Sequence, residues 1–242
     1  MRRSLFIAAL PASVLIVLAG CVKLPSESLE ISRYKLSPTS EATQKTRERI
    51  PHALQVSQFS ASPEQKSDRM NYRVGQDMMS RYFYHRWSSA PEDMLAEAVA
   101  KHLVDIALFE SGVYQEDTGV VPSYELRGRL LELHMDDIRN AYAASFSIRV
   151  TLLYIDPETY KRILVMQKQY AYKEDMKEAS VPEFVATINH VTGQWLTKLT
   201  ADMESAIAGF DPSKLPLDPE SPDSTIQTAD PTQAPAGEEM TP

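Results

Sequence analysis

Cysteine is almost absent from this 242-residue sequence; Cys21 is the only one. A lone thiol cannot close an intramolecular disulfide, build a Cys-based zinc site or form a Cys-x-x-Cys redox pair. The fold must therefore stand on its hydrophobic core. Glycine is scarce as well, with 8 residues scattered along the chain. No GxGxxG, P-loop, HExxH or GxSxG motif occurs, so no phosphate-cradling loop and no nucleophile elbow are available. If the chain works with an ATPase, that ATPase is another protein. A basic excess is missing too: the formal charge is −8, which argues against nucleic acid as a partner. The five histidines (52, 85, 102, 134 and 190) are far apart in sequence. His134-Met135-Asp136-Asp137 reads as an acidic hairpin turn between strands rather than a metal site, and His102 reads as a core-edge residue of a helix. No metal and no cofactor are expected.

What is present begins with the leader. Arg2 and Arg3 form a basic start, and Leu5 to Leu18 is an apolar stretch broken only by Pro11 and Ser13. That stretch is shorter than the ~20 apolar residues a membrane span needs, and it reads as a signal peptide over residues 1–20. It ends in Leu18-Ala19-Gly20-Cys21, which resembles the bacterial lipobox. The resemblance implies cleavage before Cys21, a diacylglyceryl thioether on its sulfur and palmitate-type acylation of the new amine. One acyl chain holds a protein marginally and two hold it stably, so a membrane anchor is expected at Cys21. Val22 after the cysteine, in place of Asp, implies the outer membrane of a Gram-negative cell, with the chain facing the periplasm. Residues 21–30 read as a tether.

Residues 21–210 carry only about −4 once the tail and leader are set aside, and the body is residues 31–210. Short strands are expected at Ile31–Leu36 and around Leu54 to Phe59, then a pair, Met70–Val74 and Met79–Trp87, around Gly75. A helix follows from Pro91 to about Phe109, capped by Ser88 or Ser89 and stopped by Gly112, with Leu95, Val99, His102, Leu103 and Ile106 on one face. Three long strands come next: Tyr124–Met135, Ala141–Ile155 and Ile163–Tyr172. In the middle one, Tyr142, Ala144, Phe146, Ile148, Val150, Leu152 and Tyr154 share a face, and Ser145, Ser147, Arg149 and Thr151 take the other, which predicts a half-buried antiparallel strand. Ser180-Val181-Pro182-Glu183 is a capping box. It opens a helix with an apolar stripe of Phe184, Ile188, Val191, Trp195, Leu199, Met203 and Ile207 that Gly209 ends. The expected fold is α+β: an antiparallel sheet with a C-terminal meander and two amphipathic helices on one face.

Residues 211–242 hold seven prolines and a net charge of −6, with almost no large apolar side chain. Such a composition predicts a disordered acidic tail. On the body, the aromatic run Tyr82 to Trp87 offers one face to the core and one to a partner, because aromatics and Arg concentrate at interface hot spots. Tyr84, Arg86 and Trp87 are the candidate partner-binding residues. No catalytic residue is assigned. The ten methionines could line a lipid groove or simply fill the core.

The order of these features resembles a known family. Cys21 is followed by Tyr34-Lys35-Leu36, a strand ending at Phe59, Tyr72-Arg73, Tyr84-His85-Arg86-Trp87-Ser88 with Pro91 opening a helix, and Tyr124-Glu125-Leu126 starting the meander. Over residues 21–208 this is similar to the ABC-type transport auxiliary lipoproteins, the family that also contains paraquat-inducible protein C. The resemblance implies a non-enzymatic, outer-membrane-anchored periplasmic component of a lipid-transport system, partnered by an MCE-type periplasmic protein and ABC transporter subunits. A homo-oligomer is a further expectation. The acidic tail departs from the family pattern. Two other readings stand beside this one: a structural or assembly lipoprotein of another envelope machine, such as secretion or lipopolysaccharide export, and an anchored hydrolase.

Overall fold

The computed structural model describes residues 30–39, 49–116, 119–139 and 141–212. The leader, Cys21, most of the tether and the tail beyond residue 212 lie outside the described residues. In chain order the elements are β1 (Ser32–Tyr34), β2 (Leu54–Val56), β3 (Ser60–Ala61), β4 (Arg69–Val74), β5 (Met78–Trp87), α1 (Pro91–Asp105), β6 (Val113–Tyr114), β7 (Tyr124–Ile138), β8 (Ala141–Ile155), β9 (Arg162–Asp175) and α2 (Val181–Ala208).

All nine strands belong to one sheet, open rather than closed into a barrel. β7, β8 and β9 form the expected antiparallel meander, paired along nearly their whole length. The other side of β7 was not legible as pairing. There β2, β3 and β4 lie end to end, each parallel to a successive stretch of β7. β5 turns back antiparallel on β4, β1 lies parallel to β5, and β6 is parallel to β2. The sheet is therefore mixed, not purely antiparallel. Parallel neighbours need long crossovers; the one from β4 to β7 runs through β5 and α1, and α1 packs over the same face as α2.

The core lies between the helices and this face. Phe184, Ile188, Val191, Trp195, Leu199 and Met203 of α2 are at most 1% exposed. They meet Phe146, Ile148, Val150 and Leu152 of β8, also fully buried, with Trp195 edge-on to Phe146 at 5.5 Å between ring centroids. Each such side chain contributes roughly 1.5–3 kcal/mol on burial. The Phe59 ring lies flat on β7 at Gly128, where an added Cβ would come within 2.4 Å of the ring. Here the strand glycine marks a close approach.

Several local expectations are corrected. α1 has Ala90 at its N-cap with no side-chain bond, while the Ser88 hydroxyl is 3.4 Å from the Met94 sulfur. The helix stops at Asp105, not near Phe109. Ala107 adopts a positive φ of 48°, and the chain peels away so that Ile50 donates to the Leu108 carbonyl and Glu110 donates to that of Ile50. Gly112, with φ 95°, sits in the following loop rather than at the helix end. At α2 the Ser180 hydroxyl accepts from the Glu183 amide at 3.2 Å, but the Glu183 carboxylate takes the Lys177 amide instead of closing the box. His134 to Asp137 are not a turn; they lie inside β7, and the turn to β8 comes after Ile138. Ser145 and Ser147 are buried on the face away from the helices, so β8 is covered on both sides there. On the same face the segment between β3 and β4 covers Asn71, which donates to Gln65 and to the Glu64 carbonyl, and Arg81 also donates to that carbonyl.

Candidate functional site

Three features outside the core carry chemistry or exposure. The first is a buried polar cluster on the face away from the helices. Strand register puts Asn71, His134, Ser145 and Lys173 in one row across four strands, with Arg73 and Asp136 in the next. Asp136 is 1% exposed and receives Arg73 Nε at 2.7 Å, Ser145 Oγ at 2.8 Å and Lys173 Nζ at 2.9 Å. Burial alone would raise its carboxyl, but the Arg73, Lys173 and Ser145 bonds outweigh it and hold the pKa at about 2. His134 lies 3.2 Å from the same carboxylate, yet burial dominates and pushes its pKa down, toward neutral imidazole.

Serine, histidine and aspartate thus meet in one place, and the geometry decides against a hydrolytic triad. Ser145 donates to Asp136, not to a histidine, and neither ring nitrogen of His134 has a well-formed hydrogen bond. A nucleophile needs a contacting base and an open position for substrate; here all three side chains are sealed within the sheet. His52 lies 3.3 Å from the exposed Ser123 hydroxyl, but among the described residues no carboxylate orients it. His102 bridges α1 to α2 through Thr200 at 3.0 Å, which fits its core-edge reading.

The second feature is the far end of the meander. Glu125, buried at the start of β7, takes Arg127 at 2.7 Å, Arg162 at 2.6 Å and the Ser57 hydroxyl at 2.7 Å. Burial opposes its ionisation, but these donors prevail and set its pKa at about 2. Beside this clamp lies a cleft of about 400 Å³ lined in part by Tyr114, Val120, Val121, Ile155 and Tyr160. Arg162 in its lining is committed to the Glu125 ion pair, and among the described residues its other polar side chains, Gln55, Tyr114, Glu116 and Tyr160, form no nucleophile–base pair.

The third is the aromatic stretch of β5. Between the pairs Arg69–Arg86 and Asn71–Arg81 the register slips, so that Tyr82 to His85 together face Met70 alone. This is a large bulge, and bulges re-aim side chains. Phe83 and Tyr84 stand out from it, 57% and 37% exposed, with their rings in edge contact at 4.8 Å. The three sequence candidates consequently part company. Tyr84 is exposed. Arg86 is held at 3.2 Å by Asp68. Trp87 is 1% exposed and packs on Phe184 of α2, so it is a core residue and not a surface one. Phe83, which alternation assigned to the same side as Trp87, is the residue that emerges, because alternation breaks at the bulge. Cys21 lies outside the described residues.

The longest open edge is β9, which among the described residues pairs only with β8. Among the described residues no helix is long and apolar enough to cross a membrane.

Residues 34–203 match the family model described as ABC-type transport auxiliary lipoprotein component. No curated protein matches the chain. Among solved structures, protein XCC0632 from Xanthomonas campestris is similar in fold at 17% identity and a TM-score of 0.60, over 72% of this chain and 99% of that one. A second, an uncharacterized protein, is 13% identical with a TM-score of 0.52, over 74% of this chain and 99% of its own.

Proposed function

Since the chain belongs to the family of ABC-type transport auxiliary lipoprotein components, we propose that it is the non-enzymatic, outer-membrane-anchored partner of an ABC/MCE-type system that moves phospholipid or a related hydrophobic solute across the periplasm. The family match over most of the folded chain carries this reading. The site geometry supports it from the other side: the Ser145-His134-Asp136 grouping is wired as a structural ion cluster. Cys21 is the attachment point, acylated after removal of residues 1–20.

The partner docks by its main chain along β9. This is a 14-residue edge strand, long enough to template an added strand, whereas β1 and β6 on the opposite side are three and two residues long and the part of β5 that β1 leaves uncovered is broken by the bulge. Such an edge suits a partner that offers a strand of its own, including a second copy in a ring.

The test is photo-crosslinking from Leu164, an exposed β9 residue, in cells that hold the whole system. An adduct with an MCE-type periplasmic protein or a transporter subunit is expected. Adducts only with secretion or lipopolysaccharide-export components would move the chain to another machine. Mass spectrometry of the N-terminal peptide is expected to find Cys21 first in the chain and carrying acyl chains.

A further inference from the structure

The β4–β5 hairpin concentrates exposure and positive charge in a molecule that is otherwise acidic. Met78, Phe83, Met79 and Tyr84 are 57%, 57%, 41% and 37% exposed, and Ile31 beside them is 41% exposed. From Arg69 to Trp87 the sequence carries Arg69, Arg73, Arg81 and Arg86 against Asp77 alone. The Arg69 guanidinium lies over the Phe83 ring at 5.3 Å, and Arg81 bonds to the Glu64 carbonyl and Asn71. Among the described residues neither Arg69 nor Arg81 has a carboxylate within ion-pair distance. Aromatic rings and thioethers framed by guanidinium groups match the chemistry of a phospholipid interface, where rings sit at headgroup level and cations meet phosphate.

The path of the chain says which surface this patch meets. β1 runs parallel to β5, with Ser32 opposite His85 and Tyr34 opposite Trp87. One step back along that register, Ile31 comes level with Tyr84, so the segment from Cys21 enters past the bulge. Nine residues lie between Cys21 and Ile31, and the ten steps from one to the other can span at most about 33–36 Å. An anchor at Cys21 therefore keeps the hairpin near the bilayer.

We infer that the β4–β5 hairpin is a second membrane contact, in which Phe83, Tyr84, Met78 and Met79 enter the headgroup region of an anionic phospholipid surface and Arg69 and Arg81 engage its phosphates. The inference rests on the lipid anchor proposed above. The cleft around Val120, Val121 and Tyr160 lies at the start of β7, whereas Met78 and Val74 lie at its end beside Asp137. A bilayer met by the hairpin end of β7 therefore leaves the cleft at the opposite end in water.

The experiment uses the full chain, processed and acylated in cells and reconstituted into vesicles of phosphatidylethanolamine with phosphatidylglycerol. Trp87 and Trp195 are buried, so a single added tryptophan reports its own surroundings. In the Phe83→Trp variant, emission is expected to move to shorter wavelength and to be quenched by brominated acyl chains. The Tyr160→Trp variant is expected to stay unshifted and unquenched. Adding R69Q and R81Q is expected to reduce the Phe83→Trp quenching. If the chain floats with vesicles but the Phe83→Trp variant is not quenched, the patch reading is overturned while the anchor stands. If the acylated chain does not float, the anchor fails and the placement of the patch fails with it. Quenching of both variants, or of Tyr160→Trp alone, overturns the stated orientation. A blue shift without vesicles, with doubled mass in solution, would give the patch to a second copy and overturn the membrane contact.

Discussion

Replacing Asp136 by Asn removes the carboxylate at the centre of the polar cluster, and the structure sets the size of the loss. The carboxyl is 1% exposed and held at about 2, against an ordinary value of 3.8. A depression of that size contributes roughly 2.5 kcal/mol of stability at neutral pH. Because the folded value is the lower one, the contribution is complete above about pH 4 and is lost as pH falls through about 2; near pH 3 roughly half remains. The variant also leaves Arg73 and Lys173 without their anion. Those side chains are 29% and 54% exposed and can turn to water, so the ~3–5 kcal/mol of a fully buried broken pair is an upper bound. D136N is expected to be less stable than wild type by about 2–3 kcal/mol at pH 7, with the gap narrowing by about 1 kcal/mol at pH 3. Urea unfolding followed by the fluorescence of Trp87 and Trp195 measures both. Glu125 titrates in the same window, but its contribution is common to both proteins and cancels in the difference. A gap that stays constant between pH 7 and pH 3 would refute the claim that a depressed Asp136 carboxyl holds this face together.

Other substitutions test the packing directly. Gly128→Ala sets a methyl against the Phe59 ring and is expected to cost about 1–3 kcal/mol; the loss measured by urea unfolding should shrink in a Gly128→Ala, Phe59→Leu double variant. Ser180→Ala removes the hydroxyl that accepts the Glu183 amide and should lower stability by about 1 kcal/mol, read as a fall in Tm. Trp87→Ala is expected to cost about 3–5 kcal/mol because the indole is core, whereas Tyr84→Ala should stay within about 0.5 kcal/mol in the same assay. Equal, small effects from both would return Trp87 to the surface.

Much of this fold was legible because its strongest elements follow one period each. In β8 the set Ala144, Phe146, Ile148, Val150 and Leu152 alternates without a break, and α2 repeats apolar residues at three and four over seven turns. What stayed hidden was everything that depends on a partner distant in sequence. Nothing in Leu54–Val56 or Ser60–Ala61 tells that they line up along β7 in parallel; that pairing is fixed by Phe59 lying on Gly128, a contact across 69 positions. Likewise, alternation through Tyr82–Trp87 is a sound rule for a regular strand, and the register slip opposite Met70 defeats it. The Asp136 cluster was missed for a related reason. His-Met-Asp-Asp looks like a turn until Arg73 and Lys173 arrive from neighbouring strands to neutralise it.

The two ends of the sheet are not equivalent, and this gives the molecule a direction. The chain enters beside β5, near the bulged hairpin, and α2 finishes at the other end, where Phe210 packs on Tyr154 at 5.3 Å. Tyr154 faces Tyr124 at the start of β7, beside Glu125 and its arginine clamp. On the reading proposed above, an anchor on the tether would turn the arginine-rich hairpin toward the bilayer and leave Phe210 at the end of the sheet facing away from it. Like charges would oppose the reverse arrangement, because a segment of net −6 near an anionic leaflet is repelled over about a Debye length, ~8 Å at physiological salt. In that proposed orientation β9 would stand upright along the side of the domain, where a periplasmic partner could reach it without displacing lipid.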